Sequence, residues 1–293
     1  MRRLLLASTV ALLLLPCCMP AELFYVREVP LAPGLTFLRG GGGNSLVLVR
    51  GRRALVFDAK TWPYGEDIVR LLREEHARPL FLVNSHLHFD HAGEDDLELA
   101  RGATLVASES TLAYLATDRV GEVAPPFDGA PFLPVRRRVT LDVGGEEVIV
   151  VHPGPAHTSG DVFAYFPAER ALATGDIFNA GFYPHIDPFH GGTMLGVLAA
   201  LDEMCRYDVT RVIPGHGPLA TKADLIAYRD FLRGLRDEVV RRRTQGESDA
   251  VILRAMERPR GEPYRDLGVI SSRQEVVEHL IEETRAQGGA RPG

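Results

Sequence analysis

Residues 84–93 read Asn-Ser-His-Leu-His-Phe-Asp-His-Ala-Gly and directly follow an apolar run at 79–83 that predicts a β-strand. Because His86 and His88 are two residues apart, their side chains leave an extended segment on the same side and can meet one metal ion. Asp90 and His91 lie beyond the bend, where a second ion could use them. The motif alone leaves open the alternative of a polar, hydrogen-bonded loop.

Three later predicted strands end in residues of the same kind. His157 follows the strand predicted at 148–151, Asp176 follows the one at 171–174, and His216 follows the one at 209–213. Loops that leave strand ends on one edge of a sheet converge, so we expect these side chains to meet the first motif. The sequence therefore predicts a metal site built from several separate strand ends.

The wider pattern predicts an α/β fold. Short apolar runs separated by turn residues alternate with helical periodicity in two β-rich halves, which favours two packed sheets with helices outside, an αββα sandwich over residues 21–222. After Pro218 the apolar spacing becomes helical, and Ser272 with Glu275 forms a capping box. We therefore predict a C-terminal helical extension over residues 223–293.

Residues 1–20 have the pattern of an export signal. Arg2 and Arg3 precede an apolar run over residues 4–15, which is shorter than the roughly 20 residues that span a bilayer. Cys17 or Cys18 is a candidate for lipid attachment, and simple secretion is the alternative. The expected location is outside a bacterial cytoplasm, in the periplasm or as a surface lipoprotein whose only membrane contact is this anchor.

Composition limits the partners. The chain of 293 residues has a net charge of −6, so it offers no basic field for a nucleic acid, and a small-molecule substrate is expected instead. The sequence does not predict an oligomeric state. Beyond residue 20 the only cysteine is Cys205, so the domain has no internal disulfide framework. Cys205 falls in a predicted helix, where a small core residue is expected.

The histidine and aspartate segments, in this order, resemble the metallo-β-lactamase superfamily over residues 35–220. The resemblance implies that His86, His88 and His157 hold one metal ion, that Asp90, His91 and His216 hold a second, and that Asp176 bridges them. It implies two zinc ions per chain, with iron or manganese as alternatives. A metal-bridging hydroxide would attack an ester, thioester, lactone or lactam, with Asp90 as the catalytic residue that orients it.

Two positions narrow the branch of the superfamily that the chain resembles. Asp176 stands where zinc β-lactamases with a metal-bound thiolate carry cysteine, which favours the glyoxalase-like, lactonase-like or quinoprotein-associated members. Asn179 stands where quorum-quenching lactonases carry tyrosine, which weakens the lactonase assignment. The resemblance implies hydrolysis but does not identify a substrate.

Substrate choice is predicted to depend on the long connection at residues 177–192. Tyr183 and His185, with Asn179 beside the bridging aspartate, are candidate substrate contacts, and Trp62 is a candidate for the opposite rim. The alternative is that the aromatic side chains only pack the loop. Asp58 is expected either to support the metal-binding loops or to cap the turn at Thr61.

Three other functions are alternatives to a dinuclear hydrolase. The fold is also used by mononuclear iron dioxygenases of the persulfide dioxygenase type, and by phosphodiesterases with similar ligands. A non-catalytic scaffold that binds a partner through the C-terminal helices is the third. The second ligand set, Asp90, His91 and His216, argues against the mononuclear oxygenase.

Overall fold

A computed structural model describes residues 25–117, 130–267 and 271–289. The predicted export signal at 1–20, with Cys17 and Cys18, lies outside these residues. Within the described ranges, no helix is long and apolar enough to cross a lipid bilayer.

The first sheet has seven strands that lie side by side in sequence order. Its strands are β1 (Val26–Ala32), β2 (Leu35–Gly40), β3 (Ser45–Arg50), β4 (Arg53–Phe57), β5 (Arg78–Val83), β6 (Thr104–Ser108) and β7 (Phe132–Val135). Strands β1 to β4 pair antiparallel, and β4 to β7 pair parallel. The helices of this half are α1 (Gly65–Glu74), α2 (Phe89–Ala92), α3 (Asp95–Leu99) and α4 (Glu109–Thr117).

The second sheet has five strands in the order β12-β11-β10-β9-β8. They are β8 (Arg138–Asp142), β9 (Glu147–Val151), β10 (Phe163–Phe166), β11 (Ala171–Ala173) and β12 (Arg211–Ile213). Its helices are α5 (Met194–Met204), α6 (Lys222–Thr244), α7 (Asp249–Ala255) and α8 (Arg273–Gly289). Two single 3₁₀ turns, Gly175–Ile177 and Pro188–His190, interrupt the connection between β11 and α5.

Alternating side chains sort the core into layers. On β3, Leu46 and Leu48 pack between the two sheets, whereas Val47 packs on the outer face with Ile68 of α1. On β11 the outward Leu172 packs against the helices of the second half. Successive strand residues point to opposite faces, so both faces of each sheet are apolar here. Each sheet therefore packs against the other sheet on one face and against helices on the other. The αββα prediction is confirmed.

The C-terminal helices form the outer layer of the second half. Leu232 of α6 and Leu280 of α8 share one apolar cluster with Val197 of α5 and Leu172 of β11. The helices predicted after residue 222 are present, and they pack on the sandwich. Whether residues 223–293 act as a separate unit stays a prediction.

Strands β1, β6 and β7 were not predicted from the sequence. Strand β1 lies at the edge of its sheet and contains Pro30, and none of its residues is fully buried. Edge strands tolerate proline and charge, so their sequences lack the apolar alternation that marks a buried strand.

Candidate metal centre

The connections that follow β5, β9, β11 and β12 meet at one edge of the sandwich. His86, His88, Asp90 and His91 follow β5, and His91 lies in the short helix α2. His157 lies between β9 and β10, Asp176 in the 3₁₀ turn after β11, and His216 after β12. The predicted convergence is observed.

The first group consists of three imidazoles. Nδ1 of His88 lies 3.1 Å from Nε2 of His86 and 3.0 Å from Nε2 of His157. Burial lowers the pKa of His86 well below its ordinary value and lowers the pKa of His157 to about 3. These two rings are therefore neutral at physiological pH, with lone pairs available to a metal ion.

The second group combines Asp90, His91 and His216. Oδ2 of Asp90 lies 3.2 Å from Nε2 of His216 and 3.7 Å from Nε2 of His91. Asp176 reaches both groups, because its Oδ1 is 3.1 Å from Nε2 of His91 and its Oδ2 is 3.4 Å from Nε2 of His216 and 3.9 Å from Nε2 of His157. All seven predicted ligands thus lie in one cluster.

Charges in the second group compensate each other without a metal ion. Burial opposes a charge on His216, but the carboxylates of Asp176 and Asp90 outweigh it and raise the pKa of His216 to about 9. Burial also opposes ionisation of Asp176, yet the charges of His216 and His91 hold its pKa well below its ordinary value. The positive charges of these protonated histidines balance the carboxylates, as metal cations would.

The donor set fits a divalent metal. Nε2 of His91 and Oδ1 of Asp176 are buried and lie 3.1 Å apart, but neither atom has a hydrogen bond of good geometry to the described residues. Buried polar atoms without such bonds are costly, and a cation between these two would satisfy both. Imidazole and carboxylate are the ligands that zinc prefers alongside thiolate.

Asp58 supports one ligand from each group. Its Oδ2 lies 2.8 Å from Nδ1 of His91 and accepts from Oγ of Ser85 at 2.8 Å, and that hydroxyl lies 2.8 Å from Nδ1 of His86. Asp58 is fully buried and has a φ of 62°. Of the two roles considered for Asp58, these contacts favour support of the ligands, since carboxylates bonded to metal-binding histidines set ring orientation and basicity.

Asp187 was not predicted from the sequence as a site residue. Its Oδ2 lies 2.8 Å from Nε2 of His88 and 2.5 Å from Nδ1 of His190. Burial opposes ionisation, but the hydrogen bonds from His88 and His190 keep the pKa of Asp187 below its ordinary value. In the sequence Asp187 lies between His185 and His190, and this context could have identified it as a site residue. It does not follow a predicted strand, unlike the ligand-bearing segments.

Two glycines allow the backbone to approach the ligands. A Cβ on Gly43 would lie 2.3 Å from the ring of His91, and a Cβ on Gly215 would lie 1.9 Å from Oδ1 of Asp176. Any larger residue at either position would displace a predicted ligand.

The candidate substrate residues fall into two classes. His185 is partly exposed, and its ring centroid lies 5.4 Å from that of His157, whereas Trp62 is 78% exposed in the connection after β4. Asn179 and Tyr183 are fully buried. Oδ1 of Asn179 accepts from the backbone N–H of His216 at 2.9 Å, and the Tyr183 hydroxyl donates to Glu262. These two side chains therefore hold loops in place and do not face open solvent.

The amino-acid sequence matches that of a known protein family. Residues 38–216, more than half of the chain, fit the sequence pattern described as the metallo-beta-lactamase superfamily. The chain belongs to this superfamily.

Individual relatives agree with this assignment. A metallo-beta-lactamase type 2 from Elizabethkingia meningoseptica is 27% identical over 143 residues, which is 47% of this chain and 53% of the relative. The chain thus spans about half the length of that curated relative.

Solved structures of low identity share the fold. The DIM-1 metallo-beta-lactamase superposes with a TM-score of 0.59 at 21% identity, covering 70% of this chain and 95% of that chain. The sec-alkylsulfatase Pisa1 from Pseudomonas sp. superposes with a TM-score of 0.70 at 13% identity, covering 92% of this chain and 52% of that chain. The second comparison extends the structural likeness to most of the chain.

Proposed function

We propose that this superfamily member is a dinuclear zinc hydrolase of a small acyl substrate, an ester, thioester, lactone or lactam. The observation that carries the proposal is the position of Asp176, whose Oδ1 lies 3.1 Å from Nε2 of His91 and whose Oδ2 lies 3.4 Å from Nε2 of His216 and 3.9 Å from Nε2 of His157. A carboxylate that reaches both ligand groups favours two ions held close together over a single ion.

The residues divide between two ions in this proposal. His86, His88 and His157 would hold the first, Asp90, His91 and His216 the second, and Asp176 both. Zinc with an open position lowers the pKa of bound water to about 7 and so supplies hydroxide at neutral pH.

Asp90 is the proposed catalytic carboxylate. Its side chain is 21% exposed, compared with 7% for Asp176, so it is the one that reaches the open side of the cluster. From there it can accept a hydrogen bond from the attacking water and pass its proton onward. His185, beside His157, would contact the polar part of the substrate.

Three exposed aromatic side chains are proposed to contact the apolar part of the substrate. Phe89 is 57% exposed and lies between His88 and Asp90, and Phe189 is 94% exposed and lies between Pro188 and His190. Trp62, 78% exposed, is the third. Aromatic side chains bury large apolar areas when they bind a ligand, which favours substrates with an apolar substituent.

Metal content tests the dinuclear centre. Protein purified without added metal should contain about two zinc ions per chain, the number that the two ligand groups predict. His88→Ala and His216→Ala should each remove about one ion, whereas His76→Asn, at an exposed position outside the cluster, should remove none. A chain without metal that hydrolyses nothing on zinc addition would contradict the proposal, and iron without zinc would favour the mononuclear dioxygenase.

A substrate panel tests the acyl class. Zinc-loaded protein is assayed with an ester, a thioester, a lactone and a β-lactam, and in parallel with a phosphodiester and an alkyl sulfate. Hydrolysis of at least one acyl compound is expected, with activity lost in Asp90→Asn. Activity confined to the phosphodiester or to the sulfate would replace the acyl proposal. Unchanged metal content and function in His88→Ala would favour a scaffold.

Export is a separate proposal that rests on residues 1–20. We propose that the chain acts outside the bacterial cytoplasm, and the pattern of Arg2, Arg3 and the following apolar run supports this. Cell fractionation of Cys17→Ala and Cys18→Ala variants tests lipid anchoring, because loss of membrane association in one variant would identify the modified residue.

A further inference from the structure

The loop after the bridging aspartate contacts two predicted ligands of the first ion. We call residues 178–192 the ligand loop. The backbone carbonyl of His185 lies 2.8 Å from Nδ1 of His157, and the N–H of Asp187 donates to the carbonyl of His157 at 2.9 Å. Asp187 also holds His88 through its carboxylate. The position of this loop therefore sets the orientation of both rings.

The start of the ligand loop is bound by a distant part of the chain. We call residues 262–267 together with Ser271 the C-terminal strap. The N–H of Tyr183 donates to the carbonyl of Arg265 at 2.9 Å, and the N–H of Arg265 donates to the carbonyl of Gly181 at 3.0 Å. The Ser271 hydroxyl lies 2.8 Å from the carbonyl oxygen of Tyr183 and 3.0 Å from that of Pro184. These contacts end one residue before His185.

Buried charge anchors the same contact. The Tyr183 hydroxyl donates to Glu262, whose side chain is only 5% exposed and also accepts from Arg273 of α8. The guanidinium of Arg258 lies 5.7 Å from the centroid of the Tyr183 ring. Tyr183 therefore ties the ligand loop to the C-terminal region through its hydroxyl as well as through its backbone.

The segment directly after the ligand loop is bound from the C-terminal region too. The carboxylate of Glu283 in α8 accepts from the backbone N–H groups of Met194 and Leu195 at 2.7 and 2.9 Å, at the start of α5. His185 and Asp187 thus lie between two attachments, both made by residues beyond 261.

We propose that the C-terminal strap is a positioning element for the metal centre: through Ser271 and Tyr183 it holds the ligand loop so that His185 and Asp187 orient His157 and His88. This inference rests on the proposed metal site. Loss of an outer partner of a metal ligand lowers metal affinity by about 10- to 100-fold. Ser271 acts one contact further away, so the lower end, on the order of tenfold, is expected for Ser271→Ala.

Adjacent serines provide a matched pair of variants. Ser271→Ala removes the contacts to Tyr183 and Pro184, whereas Ser272→Ala removes the hydroxyl that accepts from the N–H of Glu275 at the start of α8. Both lose one hydroxyl, but only the first touches the ligand loop. The zinc dissociation constant is measured on the full chain by competition with a chromophoric chelator. We expect about a tenfold weaker constant for Ser271→Ala and no change for Ser272→Ala.

Amide hydrogen exchange of metal-free protein provides a second readout. Exchange across residues 185–192 should be faster in Ser271→Ala than in Ser272→Ala at equal global stability. Tyr183→Phe, which keeps the ring but loses the contact to Glu262, should show the same faster exchange and weaker zinc binding. Equal zinc affinity and equal exchange in all three variants would overturn the proposal.

The exchange comparison separates this inference from the proposed function. A wild-type chain that takes up no zinc would overturn the dinuclear hydrolase. If exchange across 185–192 still rose only in Ser271→Ala and Tyr183→Phe, the strap would nevertheless hold the loop.

Discussion

Asp58 connects the two ligand groups through hydrogen bonds. It contacts His91 directly and His86 through Ser85, so a single buried carboxylate sets the ring orientation of one predicted ligand for each ion. Its positive φ is a conformation that aspartate and asparagine tolerate better than other non-glycine residues. Asparagine is therefore the substitution that changes charge with the least backbone strain.

We expect Asp58→Asn to weaken zinc binding by about 10- to 100-fold, because the amide is a poorer acceptor for His91 and Ser85. Chelator competition measures the affinity. Asp208→Asn, at a side chain that is 74% exposed, is the control. An affinity equal to that of the control would show that Asp58 does not support the ligands.

The pKa of His216 predicts how zinc binding depends on pH. At pH 7 the metal-free chain carries a proton on His216, whose pKa is about 9, and an ion in the second group must displace it. Affinity for that ion should therefore rise about tenfold per pH unit, for each displaced proton, up to about pH 9. Calorimetry in buffers of different ionisation enthalpy counts these protons, and a second ion that released none would contradict the prediction.

Helix α3 carries a buried carboxyl group. Glu98 is fully buried, and neither of its carboxyl oxygens makes a hydrogen bond to the part of the chain that the structure describes. Burial raises the pKa of Glu98 to about 8 despite the opposing charge of Arg101. At neutral pH the folded chain therefore retains a proton that the unfolded chain has lost.

This proton makes stability depend on pH. Between about pH 4.3, the ordinary glutamate pKa, and about pH 8, the folded state binds one more proton than the unfolded state, so the free energy of unfolding falls as pH rises. The contribution of Glu98 is up to about 1.4 kcal/mol per pH unit, and it levels off above pH 8. The free energy of unfolding is measured with urea at several pH values between 5 and 8. It should change less per pH unit in Glu98→Gln than in Glu74→Gln, which is an exposed control. An equal pH dependence of the free energy of unfolding in the two variants would mean that Glu98 is ionised in the folded chain.

At the scale of the whole molecule, the C-terminal helices share a core with the sandwich. Leu280 of α8 is fully buried in the cluster that includes Leu172 and Val197. Removing buried methyl groups there should destabilise the entire fold and not only an appended segment.

We expect Leu280→Ala to lower the free energy of unfolding by about 2–5 kcal/mol in one cooperative transition. Val251→Ala, at a side chain that is 50% exposed on α7, should change it by less than about 0.5 kcal/mol. Denaturant unfolding followed by both fluorescence and zinc release tests this. Two separate transitions would instead support an independent unit over residues 223–293.

The cluster of seven side chains could be predicted from sequence because residue type and the neighbouring sequence are enough to identify its members. Metal coordination demands particular residue types, and the four segments that carry them each come after an apolar strand that periodicity reveals. The sandwich followed from the same alternation, as Leu46, Val47 and Leu48 illustrate. Edge strand β1 was missed because its residues are not selected for burial.

The roles of Asn179, Tyr183 and Asp187 depended on contacts that no local pattern encodes. Tyr183 could equally have faced a substrate, but Glu262, 79 positions away, takes its hydroxyl and buries it. Asp187 acquires its role from His88, 99 positions away. Residue chemistry and spacing were enough to identify the groups that can bind a metal ion. Which side of the ligand loop faces them depends on packing between segments far apart in the chain, and that packing exists only in the folded molecule.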